Sequence, residues 1–243
     1  MSLFTVPPSS TPSSAPTPPS SSQGAPPEPK GRRVKTASVL DPLDESEVVA
    51  PTSDQVSQWY AQYQLIKKGP PLPDKEPTVD QLAAMHARVI VGQMEPYADF
   101  SVLTPHGKRQ AKRLRHRHWV MQSDGTFLPH DAPGPENFET WEKCFAVWEV
   151  IMLMIHFPPA TEGGPNVPVL DLIALETYFE NFRDIARENA EAWHLCCQAE
   201  DRCRGEHLPR VWRKLKEEKG VDPTWSQVLI YAAEDTRYWD KAV

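Results

Sequence analysis

The sequence predicts a mainly α-helical domain, a bundle of about six or seven helices with one short β-hairpin, behind a disordered N-terminal tail. Three observations predict it. Residues 1–36 are little more than Pro, Ser, Thr and Ala. Large apolar side chains then recur at three- and four-residue steps as far as the C-terminus. A single Asp-Gly pair, Asp124-Gly125, sits between two short β-prone runs.

The tail comes first. Of 243 residues, 26 are proline, about twice the usual share of about 5%, and the excess is N-terminal. Such a segment has few groups to bury, so ordering it loses entropy with little return. Lys30, Arg32, Arg33 and Lys35 precede Ser38. They read as a solvated flank, or alternatively as a targeting or phosphorylation site. Residues 37–51 read as a linker and 52–243 as the helical domain.

Val56, Trp59, Tyr60, Tyr63 and Ile66 share one helical face, with Thr52 or Ser53 to cap it and Gly69 to end it. Thr78 with Gln81 forms a capping box for a second helix, with Leu82, Met85 and Val89 as its stripe and Gly92 as its stop. Thr104-Pro105 starts a short basic helix running to about Leu114. The hairpin follows, Trp119–Gln122 and Thr126–Leu128 around Asp124-Gly125, and is the only β structure expected. The loop His130–Pro135 leads to the strongest element. Its Phe138, Trp141, Phe145, Trp148, Met152 and Ile155 are spaced 3, 4, 3, 4, 3. Burying each fully contributes about 1.5–3 kcal/mol, so this helix is the expected spine of the core. Leu172 to Ile185 form a fifth helix, and about 189–205 a sixth, which Pro209 kinks or restarts. A last helix starts at Asp222-Pro223 and carries Trp225 through Trp239.

Charge and motifs narrow the function. The net charge is -7, so attraction to nucleic acid or anionic lipid must come from a local patch. One exists: Lys108, Arg109, Lys112, Arg113, Arg115 and Arg117, with Trp119 behind them. On a helix Lys108, Lys112 and Arg115 share one side and Arg109 and Arg113 another. Such cations can track phosphates while Trp119 stacks on a base. The same run suits nuclear localisation, or a solvated face paired with acidic residues.

Cys197, Cys203 and His207 follow the C-x5-C-x3-H end of a zinc finger. A first cysteine near Glu188 or Asn189 is missing, and a tetrahedral site needs four ligands; core thiols are the better reading. His116-x-His118 lacks a third ligand, and His86 and His156 sit among apolar residues. No nucleophile elbow, phosphate loop, H-E-x-x-H or Rossmann glycine run is present. The expectation is therefore no enzyme, no metal, no cofactor and no small-molecule substrate. Without a secretory signal or an apolar run of about 20 residues, an intracellular protein, nuclear or cytoplasmic, with no membrane is expected.

Several motifs recur in a fixed order. They are Lys35-Thr36-Ala37-Ser38-Val39-Leu40-Asp41-Pro42, Glu76-Pro77-Thr78-Val79-Asp80-Gln81-Leu82-Ala83-Ala84 and Pro96-Tyr97-Ala98-Asp99-Phe100-Ser101. Then come Thr104-Pro105-His106-Gly107, Pro133-Gly134-Pro135-Glu136-Asn137-Phe138 with Trp141, and Ala192-Trp193. Over about residues 35–240 the chain resembles a multi-copy dinoflagellate protein family that is retroelement-like in organisation. Longer relatives commonly continue into a basic, Cys/His-rich segment like a zinc knuckle, sometimes followed by mobile-element enzyme domains. The resemblance implies a capsid-like or nucleic-acid-associated module, with RNA, DNA or further copies of itself as partners. The alternative from the residues alone is a protein-interaction domain using its tryptophan-rich helices.

Overall fold

The computed structural model describes residues 31–104, 113–158 and 166–243. The Pro/Ser-rich tail as far as Lys30 lies outside them, as does most of the expected basic helix, including Lys108, Arg109 and Lys112. The described chain is mainly helical, with small antiparallel strand pairs.

Local codes set most helix starts. α1 (Ser53–Lys67) and α2 (Val79–His86) begin at Thr52 and Thr78, each closing a reciprocal capping box with the glutamine three residues on. Each box satisfies two backbone N–H groups that the first turn leaves without partners. α1 ends on Lys68 in the left-handed conformation, one residue before the expected Gly69. α2 runs into a π-helical turn, Ala87–Val91, before Gly92.

α3 (Phe138–Met154) starts at Asn137, whose side chain accepts from the Thr140 N–H at 2.8 Å. It is the spine expected: Trp141, Trp148, Ile151 and Met152 are wholly buried. α1 packs on α3, and α4 (Leu172–Glu188, capped by Asp171) packs on α7 (Trp225–Ala233). Trp141, Phe145, Tyr178, Phe179 and Phe182 interleave between α3 and α4, with ring centroids 4.4–6.3 Å apart. Tilted and offset rings at this spacing add about 0.5–1.5 kcal/mol per pair beyond burial.

The expected sixth helix is divided. A 3-10 turn (Ala190–Ala192) leads into α5 (Trp193–Arg202), then a π-turn (Cys203–His207), then α6 (Leu208–Lys219). Pro209 sits in the first turn of α6, where its missing N–H matters least, and the wide turn before it absorbs the ring. The last helix starts at Thr224, not at Asp222-Pro223, and breaks at Glu234-Asp235 into α7 and α8 (Thr236–Ala242).

Two sequence expectations about β structure need correction. The hairpin is not alone. β1 (Arg33–Lys35) pairs with β2 (Glu47–Val49), and β5 (His156–Phe157) with β6 (Val167–Pro168). β1 lies at the end of the stretch read as a disordered tail and β2 in the stretch read as a linker, where Leu40 is wholly buried in the core. The hairpin is also longer than expected, β3 (Arg115–Met121) with β4 (Phe127–Pro133). Arg115 is therefore on a strand rather than on the side of a helix. Leu114 leads into that strand, and its N–H donates to the Ser101 carbonyl at 2.8 Å.

Candidate interaction surface

The turn at Asp124-Gly125 builds the hairpin from the sequence upward. Gly125 takes φ +82°, which glycine adopts without strain. Asp124 accepts from the Thr126 N–H at 2.9 Å and from its hydroxyl at 2.7 Å. From there the register pairs Met121 with Phe127, Trp119 with Pro129, His118 with His130 and Arg117 with Asp131.

Alternation gives the ribbon two faces. The outer face carries Arg115, Arg117, Trp119 and Met121 on β3, with Phe127, Pro129 and Asp131 on β4. The inner face carries His116, His118 and Val120, with Leu128, His130 and Ala132. His116 and Ala132 are buried at the base. The far end is exposed on both faces: Trp119 is 63%, Met121 66%, Phe127 60%, Leu128 54% and Val120 38% exposed. Singly exposed apolar residues are ordinary, but five within ten positions of one arm form a patch. No third strand joins either edge among the described residues.

The base of the arm is seated on α5. The Trp193 indole donates to the Pro135 carbonyl at 2.9 Å. His118 stacks on His194, with ring centroids 4.7 Å apart and planes 6° from parallel. His118 also tilts against His130 at 5.0 Å and His116 at 5.7 Å. Neither ring nitrogen of His116, nor His118 Nδ1, has a well-formed hydrogen bond, and the Gly134 backbone is the polar contact that favours a proton on His116. Burial, then the other histidines, lowers the pKa of both His116 and His118, so both rings are neutral at pH 7.

Beside this base lies a cleft of about 270 Å³ lined by Tyr97, Asp99, Arg113, Gly134, Asp201 and Arg204. Arg113 is committed here: its Nε donates to Ser101 Oγ at 2.8 Å, and its guanidinium pairs with Asp99 at 3.1 Å. Tyr97 donates to Asp201 at 3.1 Å. Burial pushes the Asp201 pKa up to about 6, against the pull of Arg204. Under the cleft, Arg204 holds Glu200 through two bonds of 2.5 and 2.8 Å, both side chains 1% exposed. Burial, then Glu200 and Asp201, pushes the Cys197 thiol well up, so it is protonated and unreactive at neutral pH.

The residues singled out in the sequence thus separate. Lys108, Arg109 and Lys112 lie outside the described residues. Arg113 is turned inward. Arg115, Arg117 and Trp119 stand in line on the outer face, with Arg117 held to Asp131 at 2.8 Å. His130 and His194 went unnoticed because only strand pairing and helix docking bring them to His116-x-His118; period-two alternation of His116, His118 and Val120 was the signal available. Among the described residues no three His, Cys, Asp or Glu groups are arranged to hold a metal ion. Cys197, Cys203 and His207 do not converge either. The cysteines are buried thiols, and His207 pairs with Asp235 at 3.2 Å and stacks on Tyr238. A wider cleft of about 900 Å³ lies between α6, α7 and the β5–β6 pair, with Trp212 and Trp225 on its wall. Its Lys216 is already bound to Asp222 at 2.8 Å. No helix among the described residues is long and apolar enough to cross a membrane.

No protein-family model, curated protein or solved structure matches this chain.

Proposed function

We propose that this chain is a non-enzymatic, self-assembling module of retroelement type, and that two copies associate through the β3–β4 arm. The observation that carries the reading is the apolar end of the arm, exposed on both faces. The occupant is a second copy because the strand edges differ. β4 holds Pro129 and Pro133, which have no N–H to donate, so its edge is a poor template. β3 has no proline and offers its edge whole. Antiparallel pairing of β3 with itself, centred on Trp119, sets the two indoles together and places Arg117 of one copy opposite Met121 of the other. No like charges then face each other directly.

The magnitude fits weak association. The three of these side chains on β3, Trp119, Val120 and Met121, retain about half their surface, so covering each contributes roughly 0.8–1.5 kcal/mol. Over two copies that is about 5–9 kcal/mol, against an association cost of about 4–15 kcal/mol. A weak, reversible dimer follows, helped by the backbone hydrogen bonds of the new strand pair. Sedimentation velocity from about 1 to about 200 µM tests it. The wild type is expected to shift from monomer to dimer, and Trp119→Ser/Phe127→Ser to stay monomeric. A wild-type monomer throughout would reject the proposal.

A second reading, contact with nucleic acid, is favoured by the alignment of Arg115, Arg117 and Trp119 on one exposed strand face. Cations beside an aromatic ring suit a single strand, with phosphates on the guanidiniums and a base on the indole. The resemblance of the ordered motifs to a retroelement-like family supports it. Titration with single-stranded RNA and duplex DNA at low and physiological salt checks it: salt-sensitive binding lost in Arg115→Glu/Arg117→Glu supports this reading, and no binding at either salt removes it.

A further inference from the structure

Four imidazoles meet where the arm sits on α5: His116 and His118 from β3, His130 from β4 and His194 from α5. His116 is 6% exposed, and its ring meets the Gly134 backbone without a well-formed hydrogen bond to either nitrogen. A buried polar group so weakly satisfied calls for a physical explanation. The surroundings narrow it. Arg115, Arg117 and Asp131 point to the opposite face of the ribbon, although the Asp131 carboxylate still interacts with His130. From α5 the facing groups are His194 and Cys197; an atom at the Cβ position of Gly134 would lie 3.1 Å from the Cys197 sulfur and 3.6 Å from His116 Nδ1. Asp99, Glu200 and Asp201 act on Cys197, but the charged neighbours that act on His118 are only His194 and His130. Among the described residues no carboxylate acts on the central ring, His118, to compensate a proton there. The nearest rings, 4.7 and 5.0 Å away, would repel one another once charged.

We propose that this cluster is a proton-operated latch: neutral rings hold the base of the arm on α5, and protonation releases it. His118 stacks face to face on His194, an arrangement that two imidazolium rings cannot keep at that distance. The tie from Trp193 to Pro135 is then the main polar link between α5 and the end of the arm. The sign follows from linkage. A histidine whose pKa is lowered in the folded arrangement contributes stability above the ordinary value near 6.5, and that contribution is lost as pH falls below it. The latch is therefore closed at neutral pH and opens in mildly acidic conditions. Its consequence for assembly, a dimer interface whose base becomes free to reorient, rests on the self-association proposed above.

Cys197 reports the latch, since it is buried against Gly134 under the arm. The full chain, diluted below the association range, is labelled with a dipyridyl disulfide at about pH 7.5 and about pH 5, on either side of the histidine range. Peptide mass spectrometry locates the label, and rates are divided by those of the urea-unfolded chain at the same pH. Protection of Cys197 is expected to fall at least about tenfold, the equivalent of one pK unit of coupling, while Cys144 in the core stays protected. His118→Gln/His194→Gln, which keeps size and polarity without the charge, is expected to show no such fall. Unchanged Cys197 protection, an equal fall in the double variant, or loss of Cys144 protection at the same pH would each overturn the latch. Sedimentation at neutral pH tests association separately, so either idea can fail while the other stands.

Discussion

Replacing Glu200 by alanine should destabilise the domain more than almost any other single change of a polar residue. Arg204 and Glu200 are one helical turn apart, and both are 1% exposed. The guanidinium lies over the Phe100 ring, 3.7 Å from its centroid, and donates to the Ala98 carbonyl as well as to Glu200. Burial alone would lower the Arg204 pKa, but Glu200, with its hydrogen bonds, and Asp201 outweigh it and raise it further. Without Glu200 that support is lost, yet the intrinsic basicity of arginine keeps Arg204 charged, so the charge is left buried without its main partner. Asp201 lies 3.6 Å from one of its terminal nitrogens and is 47% exposed, so it replaces neither of the two short bonds. Breaking a buried pair by removing one member loses about 3–5 kcal/mol. For a domain of this size that lowers Tm by about 6–20 °C. Replacing both residues, Glu200→Leu with Arg204→Met, removes the stranded charge and should recover most of the loss. The Ala98 carbonyl left without its donor limits the recovery by about 1–3 kcal/mol. Urea unfolding at pH 7, followed by tryptophan fluorescence for the wild type, Glu200→Leu, Arg204→Met and the double variant, gives the coupling energy, with Glu200→Ala measured beside them. A loss below about 1 kcal/mol in Glu200→Ala, or a double variant no better than the sum of the singles, would refute the assignment of this pair as a buried, mutually dependent charge pair.

Gly134→Ala should destabilise the arm's base by about 1–3 kcal/mol, because the residue sits at φ +129° with the Cys197 sulfur 3.1 Å from the new carbon; urea unfolding reads it, and Cys197 should label faster. Asp201→Asn should stabilise the protein above about pH 6 and have progressively less effect as pH falls towards the ordinary carboxylate range. A carboxyl whose folded pKa is raised to about 6 favours folding most when protonated, and that contribution is lost as pH rises through the folded value. Since the side chain keeps nearly half its exposure, water screens the effect and the change is modest; pH-dependent thermal unfolding of both chains reads its sign.

Much of the helical frame was legible because helix signals are local. The Thr52–Gln55 and Thr78–Gln81 boxes each lie within four residues, and the α3 stripe repeats within one turn, so neither depends on distant chain. Other boundaries fell elsewhere, one through a local cap that the apolar stripe masked and others through tertiary packing. The single last helix became α7 and α8 because Asp235 starts a new cap, its side chain accepting from the Tyr238 N–H at 3.3 Å. β1 and β2 are three residues each, too short for alternation to register, and a two-stranded ribbon of that length needs packing to persist.

The candidate site divides along the same line. The sequence by itself determined that a cationic run ends in a tryptophan a few residues before a tight Asp-Gly turn, since one short stretch carries both features. Only the tertiary structure decided what those residues face. It turned Arg113 inward onto Asp99, paired Arg117 with Asp131 and left five apolar side chains of the arm uncovered. It also drew His130 and His194 to His116 and His118, across as many as 78 residues of chain. Periodicity specifies which face of an element is apolar or charged, because that depends on backbone geometry over a few residues. Which two faces meet depends on loop closure and on filling a common core, and no local pattern encodes either.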